Sequence, residues 1–333
     1  MKLLVFEYST LHPGSSLLSE GFNMLKSVLN DLDNQSFFEV TYLINPKLKI
    51  NTSFCKKIIL KSNLNDWLIN YSSNYDYCLF IAPEDDLIQY NITKILEKCD
   101  VKIIGSNSEA SYICSSKFLT YTVVPSTILK IPTCKINFKD MNNENIKAIV
   151  KNNTCIMKPD NKTSSELIYI IKNFDDFKRT VKIYNKKSID SCLLQEYIPG
   201  KSYSVSLIKN KNQISFLSVN SQNIIRNNEQ LRYNGCKTPL NHPLKEQLFK
   251  ISEEIVNNID GLLGFIGIDF IIQDKTIYFV EINSRLTTPY IILQELCEKN
   301  LTLFLLDNVI NNRTCEINFK DKKTFTLNKE ICE

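Results

Sequence analysis

Two short segments in the last quarter of the chain concentrate oxygen ligands and charge. They are Gly267-Ile268-Asp269-Phe270-Ile271-Ile272 and Phe279-Val280-Glu281-Ile282-Asn283-Ser284-Arg285. Side chains alternate faces along a strand. Glu281 and Asn283 therefore share one face, and Arg285 joins them if the strand continues, while Val280 and Ile282 point the other way into a core. Asp269 stands alone in an apolar run on what reads as the partner strand, across a hairpin turn at Gln273-Asp274-Lys275. Burying a single carboxylate there is costly unless a cation pairs with it. Two acids and an amide oxygen converging from adjacent strands make an all-oxygen, anionic cage, which suits Mg²⁺ or Mn²⁺ and not zinc. The same spacing also fits a plainer arrangement, with Asp269 capping a strand end and Glu281 bridged to Arg285.

Other candidates are cationic. Lys158 ends the apolar run Ile156-Met157-Lys158-Pro159, and Lys117 follows Cys114-Ser115-Ser116 near the start of a helix. In a chain with 40 basic residues, a lysine alone says little. Leu193-Leu194-Gln195-Glu196-Tyr197-Ile198-Pro199-Gly200 reads as a strand ending in a turn, where an acid and the backbone after it can meet the edge of a base. The chain has two histidines, His12 and His242, and neither lies beside a nucleophile motif or a cysteine cluster. Its 11 cysteines are scattered without C-x-x-C spacing and read as reduced thiols.

The elements that must position these groups follow from periodicity. Up to residue 105, strand-like runs (Leu3 to Phe6, Phe37 to Leu43, Tyr77 to Ile81, Val101 to Ile104) alternate with helical patterns (Leu17 to Leu32, Leu64 to Ile69, Asp86 to Lys98). That alternation predicts a parallel α/β layer. Residues 106–192 read as a helix at Ser111 to Val123 followed by a small α+β unit, and residues 193–333 are dominated by strands. Asn142 to Asn145 and Asn227 to Glu229 read as exposed loops.

Hydrophobic residues make up 43% and charged residues 23%, and the net charge of +4 is too balanced to imply a nucleic-acid partner. No apolar run approaches the ~18 residues of a membrane span. The first residues turn acidic at Glu7 and read as a strand and not a leader, so the expected location is cytoplasmic. Only 8 glycines are present, which makes each one informative about close backbone approach.

In this order and spacing the pieces resemble the ATP-grasp superfamily. The strongest match is Glu281-Ile282-Asn283-Ser284-Arg285-Leu286-Thr287-Thr288-Pro289 with Asp269 upstream. The resemblance implies an α/β fold with an α+β lid in three parts: an N-terminal domain (1–105), a linker helix and lid (106–192), and a nucleotide- and metal-binding domain (193–333). It implies that Asp269, Glu281 and Asn283 hold Mg²⁺ or Mn²⁺ on the phosphates of ATP. Lys117 and Lys158 would contact phosphates. Glu196, Tyr197 and Ile198 would line the adenine pocket, and Arg285 would stabilise the transferred phosphoryl group. Two departures stand out: Asp160 to Ser165 contains no glycine where many members have a Gly-rich phosphate loop, and Ser202 stands where many have a ribose-binding Glu.

Further segments narrow the likeness. Phe6-Glu7-Tyr8, Ser19-Glu20-Gly21-Phe22-Asn23-Met24-Leu25, Ala82-Pro83-Glu84, Ser218-Val219-Asn220-Ser221-Gln222 and Tyr233-Asn234-Gly235 resemble the branch that joins the γ-carboxylate of glutamate to the amine of tyramine in methanofuran biosynthesis. That branch implies small-molecule substrates and an acyl-phosphate intermediate, and it allows a homodimer. Arg226 and Arg232, in the segment from Asn220 to Gly235, are candidate carboxylate partners. Another amino acid and amine pair, or an ATP-binding regulator without catalysis, are the alternatives.

Overall fold

A computed structural model describes residues 1–333 except 13, 142, 163–166, 315, 321–322 and 329–333. The first domain is a five-stranded parallel sheet of β1 (Lys2–Glu7), β2 (Glu39–Ile44), β3 (Lys56–Ile59), β4 (Tyr77–Ile81) and β5 (Lys102–Ile103), in the order β3-β2-β1-β4-β5. Parallel strands covered on both faces read as continuous apolar runs. Accordingly Leu3 and Val5 pack under the Leu18–Leu32 helix, while Leu4 and Phe6 face Leu64, Leu68, Ile92 and Leu96 on the other side. The first core also takes in Phe265, Tyr290, Leu301 and Phe304, so the C-terminal helices Tyr290–Leu296 and Leu301–Asn311 fix the last domain against the first.

The second sheet is antiparallel. Its strands are β6 (Thr133–Asn137), β7 (Cys155–Lys158), β8 (Ile168–Ile171), β9 (Ser191–Glu196), β10 (Lys201–Lys209), β11 (Ile214–Asn227), β12 (Gln230–Thr238), β13 (Gly264–Gln273), β14 (Thr276–Asn283) and β15 (Phe325–Asn328). They run in the order β14-β13-β10-β11-β12-β8-β7-β9-β6, with β15 paired to β12. The lid half, β6 to β9 with the Phe174–Asn185 helix, has its own core around Val150, Phe177 and Tyr184. It joins the other half through two residue pairs of β8 and β12, Gln230 with Tyr169 and Leu231 with Ile168. The division expected at 192/193 falls inside β9, which pairs with β6 and β7.

Local chemistry explains where the structure departs from the expected elements. The single helix expected at Ser111 to Val123 is two, Ser108–Ser115 and Lys117–Val123. Ser116 breaks it with an extended backbone, and its hydroxyl caps the second helix by accepting from the Leu119 N–H. The helix expected from Asp86 begins at Ile88, because Asp86 and Leu87 take left-handed φ values of 49° and 62°. Asn143, expected in a loop, caps a helix at Glu144–Asn152. The strand β12 was not among the expected elements; within it Gly235, at φ 107°, lets the strand pass the Leu327 carbonyl.

Candidate functional site

The carboxylate cage is built by register. Asp269 on β13 lies directly opposite Glu281 on β14, and Gly267 lies opposite Asn283. Between Asp269 and Phe270 the register slips, so that Phe270 faces Phe279 and Val280 is left as an extra residue on β14. This corrects one expectation. Ile282 is buried as predicted, but Val280 lines the cavity beside Glu281, because the bulge interrupts the alternation on which the prediction rested.

The cavity encloses about 270 Å³ where the three parts of the chain meet. Asp269, Glu281, Asn283, Arg285, Lys117 and Lys158 all line it. Lys117 Nζ lies 3.4 Å from Glu281 Oε2 and donates to the Lys162 carbonyl at 2.6 Å. Burial and the neighbouring Glu281 charge push the Asp269 carboxyl well above the usual range. Burial acts on Glu281 in the same direction, but the cations Lys117 and Lys158 outweigh it and hold Glu281 low. Burial pulls Lys158 down to about 8, against the attraction of Glu281. Asp269 is thus a buried carboxyl short of positive charge, and Lys158 a buried ammonium held down by burial, a condition that a metal–polyphosphate ligand would relieve.

The donor set fits a hard divalent cation. Among the described residues no group of three His, Cys, Asp or Glu side chains is placed to hold a metal ion by itself, so an amide oxygen must complete the set. Two carboxylates and one amide oxygen are enough for an ion such as Mg²⁺, which keeps several positions for phosphate oxygens and water.

Lys117 and Lys158 are brought to one place by Asp160. Its Oδ1 accepts from Ser116 Oγ and the Phe118 N–H, both at 2.9 Å, and its Oδ2 accepts from Lys135 Nζ at 2.9 Å. Burial would raise this carboxyl, but those hydrogen bonds outweigh it and hold it low. The glycine-free loop thus starts with an acid that ties it to the helix carrying Lys117. Residues 163–165 of that loop lie outside the described residues.

Glu196, Tyr197 and Ile198 are not brought into the cavity wall. Glu196 and Tyr197 are exposed, and their backbone N–H groups donate to Pro132 and Thr154 carbonyls at 3.0 and 2.9 Å. β9 has neighbours on both sides, which occupies its backbone. Its contribution to the cavity is Gln195, beside an apolar slot formed by Ile156, Ile168, Ile271 and Val280. Arg226 and Arg232 also lie off the cavity: both are exposed, with Arg226 paired to Glu229. On β12 the residues either side of Arg232, Leu231 and Tyr233, line the cavity instead, and on β11 Gln222 and Ile224, nearer the cavity than Arg226, line it too.

Sequence reasoning assigned no role to Glu7 and Glu20, which form the far end of the cavity. Glu7 accepts from the Ser9 and Thr10 N–H groups at 2.9 and 2.7 Å, and Glu20 accepts from the Thr288 hydroxyl. A side chain on Gly21 would lie 2.4 Å from the Glu7 carboxylate, so the glycine makes room for the acid. Their only signal in the sequence was membership of the segments Phe6 to Tyr8 and Ser19 to Leu25.

Glu7 also yields a stability prediction. Burial raises its carboxyl from 4.5 to about 7, against the pull of two backbone N–H groups. Between those values the folded protein holds more protons on Glu7 than the unfolded chain, so stability falls as pH rises through the window and is level above it. The difference is worth about 3 kcal/mol. Thermal unfolding of Glu7→Gln against wild type should show the variant gaining relative stability from pH 4.5 to 7. A difference that stays flat across that window would sink the prediction.

Comparison with known proteins agrees with this geometry. The family model described as an ATP-grasp domain matches residues 114–289, a span that includes Lys117, Lys158, the carboxylate pair and Arg285. The chain belongs to the ATP-grasp family. This ATP-grasp protein is 33% identical over 339 residues to the tyramine–L-glutamate ligase of Methanocaldococcus fervens, covering 98% of this chain and 100% of that one. A solved ATP-grasp superfamily protein from Archaeoglobus fulgidus superposes with a TM-score of 0.70 at 25% identity, over 95% of this chain and 90% of the other. N5-carboxyaminoimidazole synthetase from Staphylococcus aureus, solved with ADP, shares the fold with a TM-score of 0.72 at 14% identity, over 95% and 79% of the two chains. Among the described residues no helix is long and apolar enough to cross a membrane.

Proposed function

We propose that the protein is an ATP- and divalent-cation-dependent ligase that joins the γ-carboxylate of L-glutamate to the amine of tyramine. The observation that carries this reading is the opposed pair Asp269 and Glu281 facing Lys117, Lys158 and Arg285 in one cavity, in a chain related end to end to a tyramine–L-glutamate ligase. Mg²⁺ or Mn²⁺ held by Asp269, Glu281 and Asn283 supplies neutralising charge to the phosphates. Lys117 and Lys158 hold phosphate oxygens, and the apolar slot beside Gln195 takes the adenine, with Glu196 to Ile198 at its edge.

Phosphoryl transfer needs positioning and charge neutralisation more than a protein nucleophile. A glutamate carboxylate oxygen attacks the γ-phosphorus, the bond to the bridging oxygen breaks, and ADP leaves. The ammonium gives a proton to solvent, and the free amine nitrogen attacks the carbonyl carbon of the acyl phosphate. The carbon–oxygen bond to phosphate breaks, and phosphate leaves as the nitrogen gives its second proton to the departing phosphate. Arg285 faces the charge that develops on the transferred group. Elsewhere on the cavity wall, Met24, Ile224, Leu231 and Tyr233 offer apolar surface to the aromatic ring of an arylalkylamine, and Glu7 and Glu20 suit its ammonium group.

The test is release of ADP and phosphate from ATP and Mg²⁺ by the full chain. We expect stimulation of about tenfold or more only when glutamate and tyramine are both present. Stronger stimulation by another amine or amino acid moves the assignment to that pair. No stimulation by any pair ends the ligase reading.

A further inference from the structure

We propose that the segment Pro83–Gln89 of the first domain is a positioning element for Arg285, and that Asp86 ties this element to the start of the phosphate loop through Lys162. The proposal rests on Arg285 acting at the terminal phosphoryl group, as read above.

Two residues of this segment grip the two residues that follow β14. Glu84, 3% exposed, accepts from Arg285 Nε at 2.8 Å. Gln89, 4% exposed, donates from Nε2 to the Ser284 carbonyl at 2.8 Å and accepts from Ser284 Oγ at 3.2 Å. The first domain thus holds Ser284 through backbone and side chain and holds Arg285 through the inner edge of its guanidinium. Arg285 Nη1 is fixed on the Leu286 carbonyl at 3.2 Å. These contacts set the direction in which the guanidinium fork faces the cavity.

The Glu84 contact is poorly explained as domain glue. Its second oxygen, Oε1, is buried without a hydrogen-bond partner among the described residues. A half-satisfied buried carboxylate is a costly way to join domains. The apolar packing of Phe265, Tyr290 and Phe304 under the first sheet already does that work.

Between the two gripping residues the backbone is strained. Asp86 and Leu87 hold φ of 49° and 62° in succession, a conformation non-glycine residues avoid. That turn presents Asp86 to the phosphate loop. The Asp86 N–H donates to the Asn161 carbonyl at 3.3 Å, and Lys162 Nζ lies 2.5 Å from Asp86 Oδ2. The Lys162 carbonyl in turn accepts from Lys117 Nζ. An exposed ion pair contributes little to stability. Here it connects the loop beside the phosphates to the residue that orients Arg285, five positions or fewer along one segment.

The experiment measures dissociation constants of ADP and of the non-hydrolysable analogue AMP-PNP, each with Mg²⁺, for the full chain. Their ratio reports how well the terminal phosphoryl group is recognised, whether or not ligation occurs. Substrate-stimulated ADP release by wild type tests the ligase reading separately. Glu84→Ala should reduce the preference for AMP-PNP about tenfold while ADP affinity stays within about twofold. Glu84→Gln keeps an acceptor for Nε and should recover most of that loss. Asp86→Lys and Lys162→Asp should each reduce the preference about threefold, and the double variant D86K/K162D should restore it. An unchanged preference in Glu84→Ala, an equal loss for both nucleotides, or a double variant no better than the single ones overturns the proposal. If Glu84→Ala does not fold, the charge-swapped pair decides alone.

Discussion

Glu281→Ala is expected to lower substrate-stimulated ADP release by about 10³-fold or more, with the protein still folded. Glu281 is the point where the cationic and anionic halves of the cavity touch. It faces Asp269 across β13 and β14 and lies 3.4 Å from Lys117 Nζ. Alanine removes one of the two carboxylates available to a divalent cation. It also leaves Lys117 and Lys158 without the charge that keeps them in place. Glu281→Gln retains an oxygen of similar reach but no charge. It should keep part of the activity and shift the Mg²⁺ requirement upward by about tenfold. Excess chelator should silence the wild type, and Mg²⁺ or Mn²⁺ should restore it. Fold is preserved because the side chain faces a cavity and not the core formed by Ile282 and Phe279. Turnover by Glu281→Ala within tenfold of wild type would show that the metal site is elsewhere.

The second large effect is at Arg285. Arg285→Lys should lower kcat by about 10²-fold or more and raise KM for ATP by no more than about tenfold, the ground-state share that the AMP-PNP and ADP comparison reads. The guanidinium serves two purposes at once. Nε and Nη1 are committed to Glu84 and the Leu286 carbonyl, which leaves the rest of the fork for the cavity. A lysine has a single nitrogen, and the nearby Glu84 carboxylate captures it. Charge is conserved while geometry is lost, so the larger part of the loss falls on the transition state and the smaller part on ground-state binding. A variant with unchanged kcat and a raised KM would place Arg285 among the residues that bind ATP uniformly.

The contrast between these two residues and Glu196 shows what a single chain makes legible. The cage was readable because hairpin pairing and alternation are local rules: a short turn fixes which residues of β13 and β14 meet. The same rules failed at Val280, where a bulge adds one residue, and bulges carry no compositional signal as strong as a turn. Lys117 and Lys158 were legible as individuals, but their convergence depends on Asp160, whose partners Ser116, Phe118 and Lys135 are distant in sequence. Glu196 to Ile198 lie at the strand end where they were expected. Which backbone groups stay open there depends on β6 and β7, and β6 left no clear pattern. Glu84 was legible only as part of Ala82-Pro83-Glu84 after a strand end, and Gln89 fell inside the helix expected from Asp86. Only the left-handed turn at Asp86 and Leu87, a feature without a residue signature, brings them against β14.

The seam between β8 and β12 has a mechanical meaning. Nine strands lie side by side across one sheet, yet among the described residues β8 and β12 share two paired positions, with the Ile170 N–H on the Glu229 carbonyl and Lys172 paired to Glu229 beside them. Lys158 rides on one half, and Asp269, Glu281 and Arg285 ride on the other. Bending at the seam therefore changes the separation of opposite charges directly, without sliding any packed core. A polyphosphate and metal ion held between those charges would act as a splint, so that occupancy and curvature of the sheet would become a single variable. A ligand that bridges the two halves would set their separation by the same contacts that hold the ligand.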